Sequence, residues 1–136
     1  MRTNFLLLLT ALGILLIGCN PQKKEENHGQ QESTGILRPQ SRYFDFGKVS
    51  ISQKDSVDFI FSLKNFSKEN IVLGKVEPSC SCISITNIPD TILPNATVPI
   101  KGRIGIKQSV GKFNKPIFVN YQDEVLLLRI VGNITK

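Results

Sequence analysis

Between Asp55 and Asn65 the chain alternates. Val57, Phe59, Phe61 and Leu63 fall on one parity, and Ser56, Asp58, Ser62 and Lys64 on the other. Successive side chains of an extended strand point to opposite faces, so this pattern builds a ribbon with one apolar and one wet face. Thr97 to Ile106 repeats it: Val98, Ile100, Ile104 and Ile106 share a parity with Gly102, and Lys101 and Arg103 take the other. A strand with one apolar face needs a second layer to cover it. The alternation therefore commits this part of the chain to layered β-structure.

Further strands are predicted at Tyr43–Phe46, Ile71–Glu77, Cys82–Thr86, Ile117–Tyr121 and Val125–Ile134. Turn signals separate them: Asn65–Asn70, Ile88-Pro89-Asp90, Leu93-Pro94-Asn95 and Gln122-Asp123-Glu124. After residue 18 no segment shows a helical period. About seven short strands at roughly ten-residue spacing predict an all-β fold, a single antiparallel β-sandwich of immunoglobulin-like type over residues 42–136. The last strand, Val125 to Val131, is apolar on both parities. Either both its faces are covered, or its outer face is an exposed apolar strip of the kind that marks a partner site.

The N-terminus follows a different logic. Arg2 precedes an almost wholly apolar run from Phe5 to Ile17. About 13 residues is short of the roughly 20 that span a bilayer, and matches the core of a secretory signal peptide. The run ends in Leu16-Ile17-Gly18-Cys19, which resembles the lipobox of bacterial lipoproteins. Residues 1–18 are thus expected to be a lipoprotein signal peptide cut between Gly18 and Cys19, with lipid on Cys19 anchoring the remainder to a membrane. Two or more acyl chains make such anchoring stable. Residues 19–41 are predicted to be the lipidated cysteine and a disordered tether, because the stretch is polar, aperiodic and broken by Gly and Pro. Lys24-Glu25-Glu26 resembles the acidic signal for surface display in some Gram-negative lipoproteins. The expected location is the bacterial outer membrane, on its periplasmic face or at the cell surface.

The formal net charge of +6 would suit anionic headgroups or acidic glycans. Lys and Arg are nevertheless interspersed with Asp and Glu, as on an ordinary solvated surface. No basic cluster interleaves with aromatics, so no nucleic-acid partner is expected. Asp55-Ser56-Val57 and Asp90-Thr91-Ile92 resemble short O-glycosylation acceptors and read equally as turn residues.

Chemistry is concentrated in one place. Of the three cysteines, Cys19 is assigned to lipid, leaving Cys80 and Cys82. On a regular strand their Cα atoms would lie roughly 6.5 to 7 Å apart, at the upper limit for a disulfide. Pro78 and Ser79 suggest a bend that brings them closer. Three readings stand: a disulfide favoured by an oxidising compartment, a soft-metal or redox site through thiolates, and small core-packing residues. A metal shell would lack partners, since Met1 is the only methionine and His28, in the tether, the only histidine. No cofactor is expected. The same inventory removes a Ser–His or Cys–His nucleophile pair from the folded part. Asp55, Asp58, Asp90, Asp123 and Glu124 sit at turns or strand edges. No enzyme activity is expected.

Phe44-Asp45-Phe46-Gly47-Lys48-Val49, the strand Val57 to Asn65 and Ser79-Cys80-Ser81-Cys82 follow one another in the chain, and they resemble the opening, the next strand and the Ser-Cys-Gly-Cys-Thr signature of the bacterial domain-of-unknown-function 1573 family. Leu93-Pro94-Asn95 sits at the family's Pro-Gly turn, and Gly111-Lys112-Phe113 and Leu128 to Ile134 also fit. The resemblance covers about residues 43 to 134 and departs at Ser81, where Gly is usual, and Ile83, where Thr is usual. It implies a sandwich related to major-sperm-protein and pilus-chaperone domains, often exported as a lipoprotein, with no known activity. From the residues themselves, Phe44 and Phe46 are expected to enter the core from one strand face, and Gly47 to end that strand. The function expected is a binding or assembly module for an envelope protein or glycan, with loops Asn65–Asn70 and Asn87–Asn95 as contact loops. A thiol-based metal or redox module at Cys80 and Cys82 is the alternative.

Overall fold

Strands form where the alternation lies. The computed structural model describes residues 35–107 and 110–136, and none of these is helical. Nine strands follow in chain order: β1 Leu37–Pro39, β2 Tyr43–Ser50, β3 Ser56–Asn65, β4 Ile71–Pro78, β5 Ile83–Asn87, β6 Thr91–Ile92, β7 Thr97–Gly105, β8 Gly111–Tyr121 and β9 Glu124–Thr135. They make two sheets, one of order β1-β3-β7-β5 and one of order β2-β9-β8-β4-β6. Packed face to face, these are an immunoglobulin-like sandwich.

The core is the set of inward parities. Phe59, Phe61 and Leu63 of β3 meet Ile100 and Ile104 of β7 from one sheet. Ile117 and Val119 of β8 and Leu128 and Ile130 of β9 face them from the other. The doubly apolar last strand divides by parity. Leu126, Leu128 and Ile130 are buried, whereas Val125 is 59% exposed and Leu127 and Val131 are half-buried on the outer face. Phe118 of β8, in register with Leu127, extends that outer strip.

Each sheet seats an aromatic ring on a glycine. Phe59 and Gly102 are register partners on β3 and β7, and the Phe59 ring occupies the space a side chain at Gly102 would take. Phe46 lies over Gly132 of β9 in the same way. Phe44 packs toward Phe59 and Phe61 with ring centroids 6.1 and 6.3 Å away, and Phe46 toward Phe113 at 5.6 Å. Both rings of the opening motif thus enter the core from one face of β2.

Four expectations are corrected. Nine strands replace about seven, because the two-residue β6 hides between two turn signals and the three-residue β1 lies in the stretch read as tether. The sheet is not purely antiparallel: β2 pairs with β9 in parallel, Tyr43 opposite Arg129. Gly47 does not end its strand; it takes a left-handed φ of 69° inside a bulge between Asp45 and Lys48, with its N–H bonded to Asp45 Oδ1 at 2.8 Å. An aspartate that captures the amide two residues on lets the chain kink and resume. Finally, the ordered structure begins before residue 42. Leu37 and Pro39, within the stretch 19–41 read as tether, pair with Asn65 and Leu63 of β3, and Leu37 is fully buried. Ile36 and Leu37 are a bare apolar pair, too short to carry a periodic signal, so the burial of Leu37 shows only in three dimensions.

Candidate functional site

Residues with chemical or contact potential gather at the two opposite ends of β3. At the Ser56 end the chain crosses between the sheets. Cys80 follows the end of β4, where Ser79 donates its N–H to the Pro116 carbonyl of β8 at 3.0 Å. Cys82 precedes β5, and its carbonyl accepts the Gly105 N–H of β7 at 2.7 Å. The Ile83 N–H returns to the Cys80 carbonyl at 3.2 Å, closing a tight turn. This bend brings the two cysteine Cα atoms to 5.2 Å, and their sulfurs are joined in a disulfide. Both cysteines are half-buried against the core. They line an open depression of about 620 Å³ with Asp55, Ser56, Ser81, Ser84, Arg103, Gly105, Lys107 and Lys115.

Electrostatics here are cationic and partly paired. Arg103 holds Asp58 through a 2.6 Å Nε–Oδ1 bond, which keeps that exposed carboxyl below its usual range and raises the guanidinium. Lys107 reaches Asp55 at 3.0 Å. Lys115 forms no ion pair among the described residues. The metal reading loses its ligands: a metal needs thiolates, and these two sulfurs are bonded to each other. Among the described residues no group of three or more His, Cys, Asp and Glu side chains converges.

The Asn65 end is built on one buried amide. Asn65 is the sole buried polar residue among those described. Its Nδ2 donates to the carbonyls of Glu69 at 2.7 Å and Ile92 at 2.9 Å, and its Oδ1 accepts from the Ser67 N–H at 2.8 Å and hydroxyl at 2.7 Å. The Asn65 N–H reaches the Ala96 carbonyl at 3.0 Å. Loops 65–70 and 87–95 are thereby fastened to each other. They lift Phe66, Ile88 and Leu93 into solvent, at 49%, 39% and 59% exposure. The Leu93–Ala96 turn needs its special residue, since Asn95 has φ 59° after Pro94. Arg38 and Lys64 flank the Phe66 ring at 4.8 and 4.9 Å.

The β8–β9 hairpin lies at this same end. Its Tyr121 hydroxyl donates to Glu124, and burial, then that carboxylate, push the phenol up to about 12. The carboxylates singled out by sequence do not assemble: Asp55 and Asp58 serve lysine and arginine partners, and Asp90 and Asp123 sit exposed on loops at the far end. Gly18, Cys19, Lys24-Glu25-Glu26 and His28 lie outside the described residues. Sequence reasoning named the contact loops Asn65–Asn70 and Asn87–Asn95 but did not single out the cations around the disulfide or the apolar loop tips Phe66, Ile88 and Leu93. The former come from β7, the turn after it and β8, whereas the cysteines lie between β4 and β5, and the latter were masked by the turn residues beside them.

The family model for the protein of unknown function DUF1573 matches residues 37–134. The chain belongs to this family. The match starts at the buried Leu37, in agreement with the first strand. Solved structures similar to this DUF1573 chain share its fold. A protein of unknown function from Porphyromonas gingivalis W83 superposes with a TM-score of 0.63 at 11% identity, over 73% of this chain and 46% of that one. The ASH/PapD-like domain 7 of human CEP192 gives 0.57 at 8% identity, over 74% and 86%. The Vibrio cholerae VesB protease gives 0.55 at 9% identity, over 76% of this chain and only 32% of its own. This DUF1573 chain thus spans less than half of the P. gingivalis and protease chains. No curated protein matches the sequence.

Proposed function

We propose that this DUF1573 chain is a non-catalytic lipoprotein of the bacterial cell envelope whose sandwich is a binding module for an envelope protein. Residues 1–18 direct export, Cys19 carries the lipid, and the partner docks at the Asn65 end. The observation that carries the reading is the pair of fastened loops with Phe66, Ile88 and Leu93 exposed. Apolar side chains held out on a rigid frame and rimmed by polar groups are what interfaces use as anchors. Asn65 supplies the rigidity, so little loop entropy is lost on docking.

The chain enters the sandwich at Gly35, beside Tyr121, at this same end.

Native crosslinking and pull-down of the full-length lipidated chain tests this. An envelope protein in stoichiometric amount should be recovered with wild type and lost with Phe66→Ser/Leu93→Ser. The same bulk envelope proteins from both would sink the reading. Palmitate should label wild type and not Cys19→Ala. Protease shaving of intact cells then separates surface display from the periplasmic face.

A further inference from the structure

The β4–β5 crossover holds chemistry that the docking face does not use. Pro78 is in register with Ile117, and Ser79 bonds to Pro116, so Cys80 and Lys115 of β8 come to the wall of the same depression. Cys82 lies against Gly105 on β7. The sulfur–sulfur bond therefore sits in the turn where the chain passes from one sheet to the other. Two facts set it apart from a structural staple. Its ring encloses Ser81 alone, and the entropy a disulfide removes from the unfolded chain grows with loop length, so this bond removes little. Both cysteines also line an open depression with Lys115, Arg103 and Lys107, the last two paired with Asp58 and Asp55.

We propose that Cys80–Cys82 is a thiol–disulfide exchange site that takes an anionic thiol as its reductant. The incoming thiolate attacks Cys82 Sγ, the sulfur–sulfur bond breaks, and its electron pair departs on Cys80 as a thiolate beside the Lys115 ammonium. A second thiolate attacks the incoming sulfur of the mixed disulfide. That releases Cys82 as a thiolate, which takes a proton from water, and frees the oxidised thiol pair. Two electrons move from two incoming thiolates to the protein disulfide, and a disulfide of the same class reverses the reaction. Lys115 is a positioning residue that stabilises the leaving thiolate, because a nearby cation favours the charged sulfur. The cationic lining draws anionic thiols in preference to neutral or cationic ones.

The full chain, equilibrated in glutathione redox buffers and then alkylated and weighed, reads the equilibrium directly. The pair should be half-reduced within the range those buffers span, where structural disulfides stay oxidised. At equal thiolate concentration, reduction should be fastest with glutathione, slower with mercaptoethanol and slowest with cysteamine. High salt should narrow those differences. In Cys82→Ser, the remaining Cys80 thiol should alkylate with a pH midpoint about one unit below the ~8.5 of an ordinary thiol. Adding Lys115→Gln should raise that midpoint, and Lys115→Arg should restore it. A wild-type disulfide that stays oxidised across the whole glutathione range would overturn the proposal. So would exchange indifferent to Lys115 and to the charge of the thiol.

Discussion

The ring of Phe46 rests on the backbone of Gly132, in space that a β-carbon on residue 132 would have to share. Phe46 sits in the bulged β2 and Gly132 in β9, so the one parallel pairing of the fold is sealed by a large side chain closing over an absent one. Gly132→Ala should therefore destabilise the domain by about 1–3 kcal/mol through overpacking. Phe46→Leu alone should destabilise by loss of packing. The double variant should recover part of the Gly132→Ala loss, since the clash is gone. Urea denaturation of the four proteins forms the cycle that checks it, and strict additivity would contradict the contact.

Asn65 fastens two loops through one amide. Asn65→Ala leaves the Ile92 and Glu69 carbonyls without that donor and should lower stability by about 1–3 kcal/mol. Hydrogen exchange should speed up in residues 65–70 and 90–96 before it does in β8 and β9. Uniform acceleration across both sheets would mean that the amide holds the whole sandwich rather than its end.

Leu37 tests where the domain begins. It is fully buried and reached by a strand of three residues. Leu37→Ala should cost about 2–5 kcal/mol, as for other large-to-small core changes. Ile36, only half-buried, should tolerate the same change better. A thermal melt of each variant suffices, and equal melting temperatures would return residue 37 to the tether.

Tyr121 gives the domain a pH dependence at the alkaline end. Its phenol is raised to about 12 in the fold, above the ~10 of an unfolded tyrosine. The folded state thus holds the proton more tightly, and the corresponding stability is fully present below pH ~10. It is lost as pH rises through about 12. Tyr121→Phe should flatten that loss. The tyrosinate absorbance that rises through about pH 12 should be missing from Tyr121→Phe.

Much of this architecture was legible in the chain. Val57, Phe59, Phe61 and Leu63 alternate because a strand turns every second residue inward, and that rule is local. It also located the apolar face of β7, where Gly102 keeps the parity of its isoleucines. The Cys80-Ser81-Cys82 spacing marked the place where chemistry could lie. Three properties were not local. Leu37 is core only because β3 runs alongside it. Gly47 bends a strand instead of ending one because β9 continues to pair beyond it. Lys115 shares a depression with Cys80 only because β8 pairs with β4.

The sequence by itself thus determined the layered β-architecture and the candidate cysteines, since side-chain parity and residue chemistry are carried by neighbours in the chain. Tertiary structure alone decided that β2 and β9 run parallel, that Asn65 joins two loops into one face, and that Arg103, Lys107 and Lys115 gather around the cysteines. Each of those depends on distances between residues tens of positions apart, and such distances are set by which strands pair and in which register.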